Sequence, residues 1–98
     1  MDQEIKELMA RMEDEGASDL HVMPDLRPQY RIDGRITPAS PTELTPEDSR
    51  RLALSLLDEE QKKRLLDERE LDLSVGIRHT GRFRVNIYFH QGKVSAAI

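Results

Sequence analysis

From Arg82 to Phe89 the side chains alternate without a break: Arg82, Arg84, Asn86 and Tyr88 are polar, while Phe83, Val85, Ile87 and Phe89 are apolar. A strand turns successive side chains to opposite faces, so this segment gathers two guanidinium groups and a carboxamide on one surface and packs the other inward. Guanidinium groups bind phosphate through planar paired donors, and in phosphoryl transfer they neutralise charge that spreads over the moving group. An anion site is one use of such a face. A sheet surface laced by ion pairs to the chain's own carboxylates is the other.

The distribution of charge bears on that choice. Fifteen Lys and Arg against nineteen Asp and Glu give net −4, which argues against general binding to nucleic acid or anionic membranes. The average conceals a division. Residues 1–72 hold all nineteen acids and eleven bases, net −8, whereas residues 73–98 hold Arg78, Arg82, Arg84 and Lys93 and no acid, net +4. An anion would go to the basic end.

Other constellations are weaker. Gly76 and Gly81 have G-x-x-x-x-G spacing, but Arg82-Phe83 follows where a phosphate loop needs Lys and then Ser or Thr, and the segment joins two strands instead of a strand and a helix. Asp19, His21, His79 and His90 lack the spacing of a zinc or non-haem iron site, so capping or solvated roles suit them better. Ser18, Asp19 and His21 do not make a nucleophile, base and orienter, because neighbouring strand residues point apart. Of the four methionines, Met1, Met9, Met12 and Met23, two fall on a helix stripe and read as core.

The elements that must position the arginine strand are legible from periodicity and caps. Ile5, Leu8, Met9 and Met12 follow helical spacing up to Gly16, a C-terminal stop. Leu20 and Val22 alternate as a short strand, and Tyr30 and Ile32 lead into Asp33-Gly34, a two-residue hairpin turn, with Arg35-Ile36 returning. The proline-rich stretch 37–46 is a loop. Thr45-Pro46-Glu47-Asp48 opens a helix with buried Leu52, Ala53, Leu56 and Leu57. Asp58 and Gln61 form a second capping box, opening a helix whose apolar contribution is Leu65 and Leu66. Leu71, Leu73, Val75 and Ile77 then alternate in a strand before the arginine strand, and after Gln91-Gly92-Lys93 a third strand begins with Val94, Ala96 and Ile98. These elements predict an α+β domain, an antiparallel sheet with flanking helices.

At 98 residues the chain is the size of one domain. With aromatics at 4%, the core must come from Leu, Ile, Val and Met. No cysteine is present, which removes disulfides and thiolate sites and fits a reducing compartment. No apolar run approaches the ~20 residues of a membrane span, and the acidic start is neither a signal nor a transit peptide. Ending at Ala96-Ala97-Ile98, inside a strand, suggests a piece of a longer polypeptide.

Four strings occur in order: Gly16-Ala17-Ser18-Asp19-Leu20-His21, Tyr30-Arg31-Ile32-Asp33-Gly34, Leu44-Thr45-Pro46-Glu47-Asp48 and Gly81-Arg82-Phe83-Arg84-Val85-Asn86. In that combination the chain resembles, over essentially its whole length, the N-terminal domain of the PilT family, the type IV pilus retraction ATPases of the secretion ATPase superfamily. The resemblance implies a PAS-like N-terminal domain, 1–98, ahead of a RecA-like ATPase domain that carries the Walker motifs. It implies a cytoplasmic homohexamer working at the inner-membrane face on the pilus machinery, with ATP and Mg²⁺ as ligands of the full-length protein. It implies packing of this domain against the ATPase domain of its own and a neighbouring subunit, and twitching motility as the outcome. By motif position Arg84, and after it Arg82, would contact the ATP phosphates. The fragment alone would be inactive and would bind no cofactor, metal or nucleic acid. A PAS-like ligand-binding module with an internal pocket, and a protein-interaction domain unrelated to ATP hydrolysis, are the rival readings.

Overall fold

A computed structural model describes all 98 residues, Met1–Ile98, as three helices and six strands. Helix α1 (Gln3–Glu15) buries Ile5, Leu8, Met9 and Met12, the stripe expected from their spacing, and Gly16 ends it at φ +70°. Strands β1 (Ala17–Val22), β2 (Gln29–Ile32) and β3 (Arg35–Pro38) form an antiparallel meander. Asp33 and Gly34 supply the two positive φ angles that a tight hairpin turn demands.

Helix α2 (Pro46–Leu54) starts on a complete capping box: the Thr45 hydroxyl accepts from Asp48 N–H while Asp48 accepts from Thr45 N–H. It is shorter than the leucine stripe suggests. Leu56 and Leu57 lie beyond its end, yet both are buried. Asp58 and Gln61 make the second box at the start of α3 (Glu59–Glu68). Leu65 is 1% exposed but Leu66 is 53% exposed, so only one of the paired leucines expected in the core reaches it. Adjacent residues on a helix sit ~100° apart, and the way α3 docks against β4 turns Leu65 inward and leaves Leu66 on the outer side.

The chain then forms a second antiparallel meander, β4 (Glu70–Ile77), β5 (Gly81–His90) and β6 (Lys93–Ala97). The two meanders join edge to edge through β1 and β6, giving the order β3-β2-β1-β6-β5-β4. Leu20 and Ile98 exchange both backbone hydrogen bonds at 2.8 Å across that seam. The last strand is therefore central. Small residues suit it, because α2 lies directly over β6: Ala53 and Ala96 are fully buried, and the buried Ser49 hydroxyl donates to Val94 O at 2.9 Å.

All three helices cover one face of the sheet, with Leu20, Val22, Tyr30, Val85, Ile87 and Val94 in the core between the layers. The buried Tyr30 hydroxyl donates to Leu8 O at 2.6 Å, tying α1 to β2, and no buried side-chain polar atom lacks a partner. Burial raises the Tyr30 pKa above its ordinary value, a trend that nearby Arg11 opposes and Glu15 supports.

The start of α1 is held to α2 by Arg51, which faces Asp2, Glu4 and Asp48 together. The Asp2 carboxyl is held below its ordinary pKa first by the Glu4 backbone N–H and then by Arg51. Asp48 is lowered first by the Thr45 backbone N–H, then by the Thr45 side chain and Arg51. A lowered folded-state pKa contributes stability above the ordinary value of 3.8 and loses it as pH falls through the folded value. Melting temperature is thus expected to drop on acidification below that point. Arg51→Ala, melted across the same pH series, should show a shallower drop; an identical acid slope would remove Arg51 from this role.

Candidate functional site

The uncovered face of the sheet carries the polar set of β5. Residues 82, 84 and 86 pair in register with Gly76, Ser74 and Asp72 of β4, while Val85 and Ile87 are fully buried on the opposite side. The alternation read from sequence is realised along the strand.

The three nitrogen-bearing side chains differ in what they have left to offer. Asn86 spends its amide on two carboxylates, Glu70 and Asp72, each at 3.0 Å. Arg82 bends across β4, where Nε donates to Ser74 Oγ at 3.1 Å and Nη2 to Ser74 O at 3.4 Å. Arg84 makes no ion pair and no side-chain hydrogen bond, although it is exposed beside both. Nor does Arg78, in the β4–β5 turn, meet a carboxylate. The salt-bridged sheet face weighed as the alternative is absent for all three arginines. Only Lys93 of the basic end forms an ion pair, with Asp25 at 3.2 Å, joining the start of β6 to the loop after β1.

Gly76 explains the posture of Arg82. A Cβ there would stand 2.9 Å from Arg82 Nη1, so the missing side chain is the space in which the guanidinium lies. Gly76→Ala is expected to displace Arg82 from Ser74 and abolish the protected Nε–H resonance, while the melting temperature moves by only a few degrees or about 0.5 kcal/mol, since the clashing atom ends a flexible side chain. An unchanged Arg82 resonance would show that the glycine does not set this geometry.

Both arginines line a groove of about 560 Å³ where β6 ends between β1 and β5; Met12 and Ala97 contribute apolar walls. Glu13 of α1 and Asp19 of β1 also line it. Asp19 is already engaged, accepting from Ser18 Oγ at 2.7 Å and facing Arg31 Nε at 3.7 Å. That contact corrects the argument that Ser18 and Asp19 must point apart: a register shift between Ala17 and Asp19 breaks the alternation and brings them together. His21 joins neither, so no nucleophile, base and orienter set forms. His79 lies in the turn before β5 and His90 at its far end, and no group of three His, Asp or Glu side chains is arranged to hold a metal ion. Gly76 and Gly81 lie opposite Arg82 and Ile77 in a hairpin, not at the head of a helix. The groove can therefore hold an anion against one oriented and one free guanidinium.

The architecture is an α+β fold that matches the N-terminal domain of the pilus motor PilT, and sequence carries the likeness further than fold. Over 95 residues the chain is homologous to the type IV pilus ATPases PilT and PilU. It is 32% identical to the type IV pilus retraction ATPase PilT of Pseudomonas aeruginosa and 28% identical to the type IV pilus ATPase PilU of the same organism, in each case across 97% of this chain. A crystal structure of the pilus retraction motor PilT with bound ADP superposes at a TM-score of 0.86, with 38% identity over 95% of the chain. The ATPase DotB of Legionella pneumophila shares the fold at a TM-score of 0.75 and 19% identity, over 92% of this chain and 26% of its own. The chain spans about a quarter of the length of PilU and PilT, 25% and 27% respectively. No protein-family profile matches it.

Proposed function

We propose that this chain is the regulatory and hexamer-assembly domain of a type IV pilus retraction ATPase. Arg84, with Arg82 beside it, faces the phosphates of ATP held on a RecA-like domain of the same protein. The observation that carries this reading is the free Arg84 guanidinium beside an oriented Arg82, on the uncovered face of a domain homologous to PilT. The donor set suits a phosphate: planar, permanently charged and ion-paired with no carboxylate of the chain. It does not suit Mg²⁺, for the acids here are not gathered into a ligand cluster. In this reading the metal ligands and the nucleotide cradle belong to the ATPase domain, and this chain contributes charge neutralisation and position.

Arginine on a rigid strand has value only if the domain can be placed relative to the nucleotide. A homohexamer supplies that placement by packing this domain against the ATPase domain of its own and the neighbouring subunit. Its working place would be the cytoplasm, at the inner-membrane face; no helix of the chain is long and apolar enough to cross a membrane. A PAS-like sensor would need free polar groups converging on an internal pocket. Ser49 and Tyr30 instead spend their hydroxyls on backbone carbonyls, and no fully buried side-chain polar atom is left without a partner.

The test is the reading frame of the parent gene beyond Ile98. A downstream G-x-x-x-x-G-K-[ST] motif between strand and helix is expected. A parent protein lacking any phosphate loop would overturn the ATPase assignment, and with it the role of Arg84.

A further inference from the structure

We infer that the cleft between α2, α3 and the β5–β6 hairpin docks a protein segment presenting an apolar side chain flanked by carboxylates. The cleft encloses about 240 Å³ over a floor of Leu54, Leu65, Phe89 and Val94. Leu66 stands at its lip, 53% exposed, on a helix whose other outward residues are charged or polar. An exposed leucine alone is unremarkable in a soluble domain, but one bordering an apolar recess extends the recess into a surface that water covers at a cost.

The rim decides the occupant. Arg50, Lys62 and Lys63 surround the opening against a single carboxylate, Glu59. Lys62 pairs with that Glu59 at 3.3 Å, and Arg50 and Lys63 have no ion pair. This excess of positive charge arises within residues 1–72, the segment that is net −8 as a whole. An apolar centre with a net positive rim selects a partner by burial of an anchor and by charge complementarity, so the matching segment carries Asp or Glu beside its anchor. A lipid surface fits less well, since the chain's overall negative charge opposes approach to anionic membranes.

Alternation along β5 places Phe89 on the helix-covered side and Arg84 on the uncovered side. A partner in the cleft leaves Arg84 free, and the inference stands apart from the nucleotide reading.

The isotope-labelled chain Met1–Ile98 can be titrated with a leucine-centred helical peptide flanked by glutamates, and in parallel with the same peptide flanked by lysines. Amide shifts are expected to centre on Leu54, Lys62, Leu66 and Phe89. Affinity for the glutamate peptide should be at least about tenfold higher and should weaken with salt. The double variant Arg50→Glu/Lys63→Glu should reverse that preference. Leu66→Ser, at an exposed site, should reduce binding of the glutamate peptide with the remaining spectrum unchanged. Equal affinity for both peptides, no binding, or shifts centred on Arg84 would overturn the proposal. So would shifts of the cleft residues on raising protein concentration without peptide, which would assign the cleft to a second copy. Tighter association with phosphatidylserine vesicles than with the glutamate peptide would assign it to a membrane and equally overturn the inference.

Discussion

Under the proposed function, Arg84→Ala in the full-length protein is expected to lower ATP turnover by about a hundredfold or more, with the proposed hexamers intact by light scattering and sedimentation. The magnitude follows from the proposed role: a guanidinium neutralising charge on a transferring phosphoryl group is worth ~10³ or more where it acts in full, and Arg82 retains part of the field. Nothing in this fold competes for the group. Arg84 has no ion pair to lose, and its removal leaves no buried partner stranded. A loss of turnover without a loss of melting temperature is thus the signature. Arg84→Lys keeps the charge but not the paired planar donors, and only partial recovery is expected. Wild-type turnover in well-formed Arg84→Ala hexamers would sink the arginine role while leaving the homology untouched.

Ile87→Ala is expected to have the largest effect on stability, about 3 kcal/mol, visible as a fall in melting temperature on the order of 15 °C for the isolated chain. Ile87 is fully buried on β5, three residues beyond Arg84 and on the opposite face. Truncation removes its transfer free energy and leaves a cavity in a core that carries few aromatics to fill it. Domains of this size hold only about 5–15 kcal/mol in total, so one such substitution uses a large share. Thermal and urea unfolding followed by circular dichroism would measure it. A cost below about 1 kcal/mol would mean that the core around β5 relaxes and that the strand carrying Arg84 is not rigidly held.

Much of the fold was readable because its local signals agree. The stripe of Ile5, Leu8, Met9 and Met12, the glycine stop at Gly16, the paired capping boxes at Thr45 and Asp58, and the two-residue turn at Asp33-Gly34 each have a short-range physical cause. The second hairpin turn, Gln91-Gly92, has two positive φ angles for the same reason. Errors fell where the cause is not local. Leu66 has the same residue type as Leu65 and is turned out by the geometry of docking. Ser18 and Asp19 meet through a bulge that alternation cannot foresee, and Arg51 gathers carboxylates from residues 2, 4 and 48, a set no spacing rule assembles.

The basic end illustrates the boundary. Sequence alone determined that Arg82 and Arg84 share one face of a strand and that residues 73–98 contain no acid, because side-chain alternation and composition need no knowledge of neighbours. Only tertiary structure decided which arginine is free. The nineteen acids could have reached this face from elsewhere in the chain, as Asp25 does for Lys93 and as Glu70 and Asp72 do for Asn86. Gly76 and Ser74 on the adjoining strand hold Arg82, while Arg84 has no carboxylate within ion-pair range. The central position of β6 was likewise settled only when two meanders distant in sequence joined through β1. Ion pairing and strand order both depend on distances between segments far apart in the chain, which periodicity along one segment does not encode.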